Sequence, residues 1–334
     1  MAPDLMRQTA APSLATMISR TKSKARHSFD SFSRALPHEA WLTEQFGLAP
    51  NAASDNSPPS ATAAMRGFGL AADAGTWFIL HPVHLHIARD HLVLTDARKL
   101  ALSEAEAQGL FETAKLLFEE TGKTLLYGDA QTWFVRADAW SELRTSTPDA
   151  ACGHNIDIWM PNGTGEREWR RLLNEVQMAW HAHPVNDRRH ESGRDPVNSL
   201  WLWGSAPTGV EHRAPPYRRA YNLSGWTRCL ARLVPEQYDA ASAGQVLSDA
   251  TPHALLMLDA LTEPSLNSDW SEWLTRLHAL ESDWFSPLID GLREGKLDEI
   301  RLIFSDGTHL LETATTKSSL KKFWIKPGIT PLFK

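Results

Sequence analysis

The 334-residue chain is 42% hydrophobic and 22% charged, which supports a substantial core, sized for one large α/β domain or two ordinary ones, and excludes a globally disordered chain. Its 34 Lys and Arg stand against 40 Asp and Glu, a formal net charge of −6. That balance argues against a general nucleic-acid coat, which needs a basic footprint to displace phosphate counterions. Two cysteines, Cys152 and Cys229, make no disulfide framework, and no apolar run approaches the ~18 residues that span a bilayer. A reducing, cytoplasmic setting without a membrane is therefore expected.

Residues 1–35 read as a disordered or basic leader, with Arg7, Arg20, Lys22, Lys24 and Arg26 among few acids. The α/β domain is expected to occupy 36–334. Its first element is a short helix over 37–46, with Pro37 pre-set for the first turn. Residues 48–65 are rich in Ala, Ser, Asn and Pro without a sustained period, and read as a linker-like loop. Two apolar runs, 76–83 (TWFILHPV) and 91–95 (HLVLT), suit strands. Ser103 with Glu106 three residues on predicts a capping box for a helix to about 120, and 123–127 with 131–136 predicts a hairpin. This order of elements describes an α/β layer rather than a helical bundle.

After Gly165, the spacing of Trp169, Leu172, Leu173, Val176 and Trp180 predicts an amphipathic helix. Beyond Pro184 the chain reads as a polar loop until a buried strand at 197–203. Further on, 253–258 and 300–304 are strand candidates, and 270–292 is a long amphipathic helix interrupted before Pro287.

Two groups of residues invite chemistry. His84 and His86, and likewise His181 and His183, offer His-x-His spacing, which on a strand turns two imidazoles to one side and suits a metal ion. The denser group lies between His181 and Asn198. Asn174, Gln177, His183, Asn186, Asp187, Arg188 and Asn198 are the ligand-binding candidates, because a polar loop between apolar elements is a common ligand position and arginine suits a phosphate or carboxylate. The expected partner is accordingly a phosphorylated or carboxylate small molecule, with room for a protein partner. No nucleophile elbow, P-loop or dinucleotide loop occurs. Cys152 beside His154 reads as structural, and no catalytic residue is assigned.

The stretches HPVHLHIARDHLVLTD (81–96), LLNEVQMAWHAHPVNDRR (172–189) and PVNSLWLWG (196–204) resemble the bacterial RpfE-type regulatory protein family. That family is phosphoglycerate-mutase-like and distantly similar to cofactor-independent phosphoglycerate mutases of the archaeal type. The resemblance runs over about 36–311 and is most specific at 172–204. It implies a doubly wound α/β sheet of the alkaline-phosphatase superfamily, with 74–204 resembling the inserted α/β region. It also implies that the helix with Glu281 and Asp283, and the strand ending at Asp306, resemble the mutases' C-terminal metal-binding region.

The departures from that pattern matter. A mutase of this kind needs an Asp-Gly after its first strand, a Ser or Thr nucleophile, and His and Asp ligands for two metals. Here the Asp-Gly strand is absent, Leu266-Asn267-Ser268-Asp269 stands in place of a Gly-His-Asp-Gly-like element, and Asp306 is followed by Gly307. The expectation is a regulatory or ligand-sensing protein without mutase catalysis. One alternative is a metal-dependent phosphotransferase or hydrolase using His84, His86, His181, His183, Asp269 and Asp306 with manganese or zinc. Another is an interaction module linked to DNA metabolism through a basic N-terminal arm and exposed tryptophans.

Overall fold

The computed structural model describes residues 9–48, 55–210, 213–249 and 251–332. They fall into two compact units, Phe32–Pro215 with Gly225–Leu233, and Met1–Ser31 with Pro216–Ser224 and Val234–Lys334.

The first unit is built on a four-stranded sheet in the order Thr124–Tyr127, Trp133–Arg136, Thr76–Val83, Ser199–Pro207. Every neighbouring pair is antiparallel. This corrects the expectation of a doubly wound sheet: the fold is mixed α/β, but strands joined by a short hairpin and by long returns pair antiparallel, whereas a doubly wound sheet needs parallel crossovers. Side chains alternate across the sheet. Phe78, Leu80, Trp133, Val135, Leu200 and Leu202 join one core with the helices Glu104–Glu120, Glu166–His181 and Pro184–Glu191. The alternate residues, Trp77, Ile79, His81, Phe134, Trp201 and Trp203, are buried as well. On that side Phe68 meets Phe134 and Trp226 meets Trp203, with ring centroids 5.7 and 5.6 Å apart. Both faces being covered explains why 76–83 is mostly apolar, His81 apart, instead of alternating.

The capping box forms: Ser103 accepts from Glu106 N–H, and the Glu106 carboxylate accepts from Ser103 N–H at 3.0 Å. The helix Glu166–His181 buries the five residues its period singled out. Burial of such side chains contributes about 1.5–3 kcal/mol each before chain entropy is counted. Gly165 opens it at φ +96°, and a Cβ there would stand 2.5 Å from the Trp140 ring, so only glycine fits.

Two loop expectations are corrected. Ala61–Gly67 is a helix whose Ala61, Thr62, Ala63, Ala64 and Met65 are buried, so the latter part of 48–65 is core, not linker. Its small side chains allow close approach to the sheet, and an Ala-rich run reads as linker only when that contact is unseen. Residues 49–54 of that stretch lie outside the described residues. Beyond Pro184, the chain forms the helix Pro184–Glu191, with proline at its first turn and the His183 side chain accepting from Val185 N–H.

The second unit holds an antiparallel sheet in the order Ser23–Ser28, His309–Thr316, Glu299–Ser305 and a parallel one in the order Ala254–Leu256, Arg219–Tyr221, Glu236–Tyr238. What the sequence suggested as a leader is integral here over its described part. The helix Pro12–Ser19 buries Leu14, Ala15, Met17 and Ile18. Its first free N–H groups, at Ser13 and Leu14, donate to the buried Glu281 carboxylate at 2.6 and 3.1 Å. The long C-terminal helix divides into Trp270–Leu280, a π-helical turn Glu281–Phe285, and Ser286–Glu294. The wide turn lies just before Pro287, whose missing N–H cannot continue the α-helical ladder.

Candidate functional site

Several of the residues singled out between 174 and 198 are bonded to neighbouring protein groups. Asn186 is buried and ties three elements: its Nδ2 donates to Trp180 O at 2.8 Å and Val197 O at 2.9 Å, and its Oδ1 accepts from Val197 N–H at 2.8 Å. Asn198 clamps a neighbouring segment, accepting from Leu85 N–H and donating to Leu85 O, both at 2.8 Å. In effect its side chain supplies the ladder bonds that backbone would supply had the strand continued. Gln177 donates to Ser199 Oγ at 3.0 Å. His183 caps its helix, and burial holds its pKa down, assisted by Arg188. Asn174, Asp187 and Arg188 are exposed. The buried ion of this segment is Arg189, which donates to Asp195 O at 2.7 Å, Leu100 O at 2.5 Å and Glu106 Oε2 at 3.2 Å.

The metal candidates are dispersed, and no three His, Cys, Asp or Glu converge as a metal site among the described residues. His84 is buried with Nδ1 2.8 Å from Pro196 O, at the break between two strands, whereas His86 and His181 are exposed. Asp269 caps the helix Trp270–Leu280, accepting from Glu272 N–H at 3.1 Å. Asp306 closes a hairpin, accepting from Thr308 and His309 N–H at 2.7 Å. Those amides, with His309, hold the Asp306 pKa below its usual value against the opposing effect of burial.

A buried ionisable centre forms elsewhere in the first unit, around Glu39. This residue is 1% exposed at the third position of the helix Pro37–Gln45. Its Oε2 accepts from Leu36 N–H at 2.8 Å and from the Thr147 hydroxyl at 2.6 Å. Thr147 in turn caps the short helix Pro148–Ala151. The other oxygen, Oε1, is buried, and the Trp226 side chain acts on the carboxyl as a further donor. Burial, then the charge of Asp149, pushes the Glu39 pKa up to about 8, against the pull of the Thr147, Leu36 and Trp226 donors. The carboxyl is therefore largely protonated at neutral pH.

Asp149 organises the surroundings. Arg98 grips it with two bonds of 2.8 and 3.1 Å and reaches the buried Asp96 at 2.7 Å. Burial alone would lower the Arg98 pKa, but the two carboxylates outweigh it and raise it. Burial lowers the His38 pKa against the charge of Asp149, and lowers that of His81 against the Gln131 carbonyl and then the Asp129 and Asp149 charges. His81 also stacks on Trp203 with centroids 5.8 Å apart. Burial and the Asp96 and Asp149 charges push the Cys152 thiol up to about 12, so it is no thiolate nucleophile at neutral pH. The centre thus holds a proton in an enclosed position beside a fixed Asp–Arg–Asp chain. Sequence reasoning missed it because Glu39 in the first turn of a proline-initiated helix reads as an ordinary exposed helix start. Its burial depends on Thr147, 108 residues away.

No protein-family model matches the chain. It resembles curated 2,3-bisphosphoglycerate-independent phosphoglycerate mutases. One from Methanosarcina barkeri is 29% identical over 126 residues, covering 37% of this chain and 31% of that protein. A probable one from Geobacter sulfurreducens is 28% identical over 182 residues, covering 54% and 44%. The chain therefore matches less than half the length of these relatives. Among solved structures, a Pyrococcus horikoshii protein is 13% identical with a TM-score of 0.47, over 93% of this chain and 81% of that one. The cofactor-independent phosphoglycerate mutase of Thermoplasma acidophilum is 18% identical with a TM-score of 0.39, over 93% and 83%.

Proposed function

We propose that this chain is a phosphoglycerate-mutase-like regulatory protein of the bacterial RpfE type, acting in the cytoplasm as a sensor of a phosphorylated or carboxylate metabolite without mutase turnover. The similarity to the 2,3-bisphosphoglycerate-independent enzymes supports a shared ancestry of the scaffold. The observation that carries the loss of turnover is the employment of Asp269, Asp306 and Glu281, which cap a helix, close a hairpin and bind a helix N-terminus. Two-metal phosphoryl transfer needs carboxylates gathered around the ions, to activate the nucleophile and hold the transferring group. These three instead serve backbone amides. Within the predicted cluster, Arg188 is exposed on the surface of its helix and suits contact with an anion.

The test is conversion of 3-phosphoglycerate to 2-phosphoglycerate, coupled to enolase in manganese, alongside calorimetric titration of 3-phosphoglycerate. The expected result is no turnover and saturable binding that weakens in Arg188→Ala. Mutase-rate turnover dependent on manganese would overturn the reading and establish the metal-dependent phosphotransferase alternative. Absence of both turnover and binding would remove the phosphoglycerate-sensing assignment.

A further inference from the structure

The two ends of the sequence share a property that the fold makes local. Residues 5–29 contain no Asp or Glu, and neither do residues 313–334, in a chain of net charge −6. The strand Ser23–Ser28 pairs along His309–Thr316, with Ser23 opposite Ala314 and Ser28 opposite His309. Arg20, Lys22, Lys24 and Arg26 are thereby gathered with Lys317, Lys321, Lys322 and Lys326. Lys22 is paired with Glu299 at 3.1 Å. Lys24, Lys317, Lys321 and Lys326 are exposed and make no ion pair among the described residues.

Within this basic surface the chain presents an aromatic tip. Phe323 is 80% and Trp324 70% exposed, costly for side chains of this size. Their exposure is not that of a loose end, because the base of the turn is fastened. Arg20 donates to Ile325 O at 3.2 Å and to Leu320 O at 3.3 Å, bracketing the tip on both sides. Lys322 Nζ donates to Thr21 O at 2.7 Å, and Ser19 Oγ bonds Gly328 through both its carbonyl and its N–H, at 2.9 and 3.1 Å. The rings meet edge to face, with centroids 5.2 Å apart and planes 81° apart. Crossed rings do not offer parallel faces to successive bases, which disfavours a single-stranded nucleic acid.

We propose that this tip docks on an anionic phospholipid surface. Phe323 and Trp324 enter the interfacial zone, where aromatic rings are favoured, and the lysines beside them meet headgroup phosphates. The association is peripheral, since among the described residues no helix is long and apolar enough to cross a membrane. It is independent of the metabolite reading above.

The experiment is co-sedimentation of the full chain with vesicles of phosphatidylcholine alone and of phosphatidylcholine with phosphatidylglycerol, with a single-stranded oligonucleotide measured in parallel. Expected is binding to the anionic vesicles only, weakened by added salt. The double variant Phe323→Ser and Trp324→Ser should weaken it about tenfold, and Lys321→Gln with Lys326→Gln should weaken it and flatten its salt dependence. Both pairs are exposed, and circular dichroism checks that each variant is folded. Failure to bind anionic vesicles, equal binding by wild type and the aromatic variant, or binding to the oligonucleotide alone would each overturn the proposal.

Discussion

Two polar groupings in the first unit differ in how sequence relates to space. The residues from Asn174 to Asn198 are adjacent in sequence and chemically rich, yet their buried members spend themselves on internal ties. Asn186 and Arg189 stitch helix ends to strand and loop carbonyls, and Asn198 extends a strand ladder. Glu39, Asp96, Arg98, Thr147 and Asp149 are scattered along more than a hundred positions, yet they form a connected neighbourhood with an enclosed proton. Local density of polar residues thus marks structural accounting in one place, where loops and helix ends leave many backbone groups to satisfy. Convergence from distant segments marks the more unusual electrostatics.

That difference is sharpest at Arg189. Its guanidinium is fully buried, and it joins two backbone carbonyls and the Glu106 carboxylate. Replacing it with alanine removes the charge, leaves both carbonyls short of a donor, and leaves Glu106 with Arg194 as its remaining ion-pair partner. Arg189→Ala is expected to destabilise the protein by about 3–5 kcal/mol, read as a lower midpoint in urea unfolding. An unchanged midpoint would mean that the buried network contributes nothing and that Arg189 is held for another purpose. Asn186→Ala is expected to cost less, about 2–3 kcal/mol, for the loss of three buried hydrogen bonds. If instead it left stability intact and abolished binding of 3-phosphoglycerate, the side chain would belong to the ligand and not to the scaffold.

Much of the secondary structure was legible because its signals are local. The Ser103–Glu106 box, the stripe from Trp169 to Trp180, and the apolar runs at 76–83 and 197–203 each carry their pattern locally, although the last strand is observed over Ser199–Pro207. What stayed hidden depends on pairing across the chain. The sheet is antiparallel because of which strands meet, and a strand buried on both faces looks the same in either kind of sheet. The helix at Pro12–Ser19 was hidden by its basic neighbours, which lie on an edge strand and in exposed turns, while Leu14, Met17 and Ile18 face the core. Of the proposed ligand residues, the sequence located a polar segment and could not distinguish side chains bonded inward from Arg188, which faces solvent.

The smallest expected effect tests the Glu39 centre by pH. Its folded pKa of about 8 lies above the value of 4.5 for an unperturbed glutamate. A raised acid favours the protonated folded state, so its contribution is fully present below the unfolded pKa and is lost as pH rises through the folded one. Wild-type stability should therefore fall between about pH 6 and about pH 8 by on the order of 1–2 kcal/mol from this group, a value tempered by the relaxation of the site around the charge. Glu39→Gln keeps a similar shape and does not titrate. Its amide can still accept from Leu36 N–H and Thr147 through its oxygen, so the variant should lose that part of the pH dependence. Thermal unfolding across this range should show the variant gaining on the wild type as pH rises. Asp149→Asn separates the two causes: removing the neighbouring charge should lower the Glu39 pKa and delay nothing at acid pH, moving the loss of stability to lower pH while shrinking it. Parallel wild-type and Glu39→Gln curves would mean that Glu39 is already ionised at neutral pH, and that a donor from beyond its present partners, solvent or a small cation, reaches Oε1.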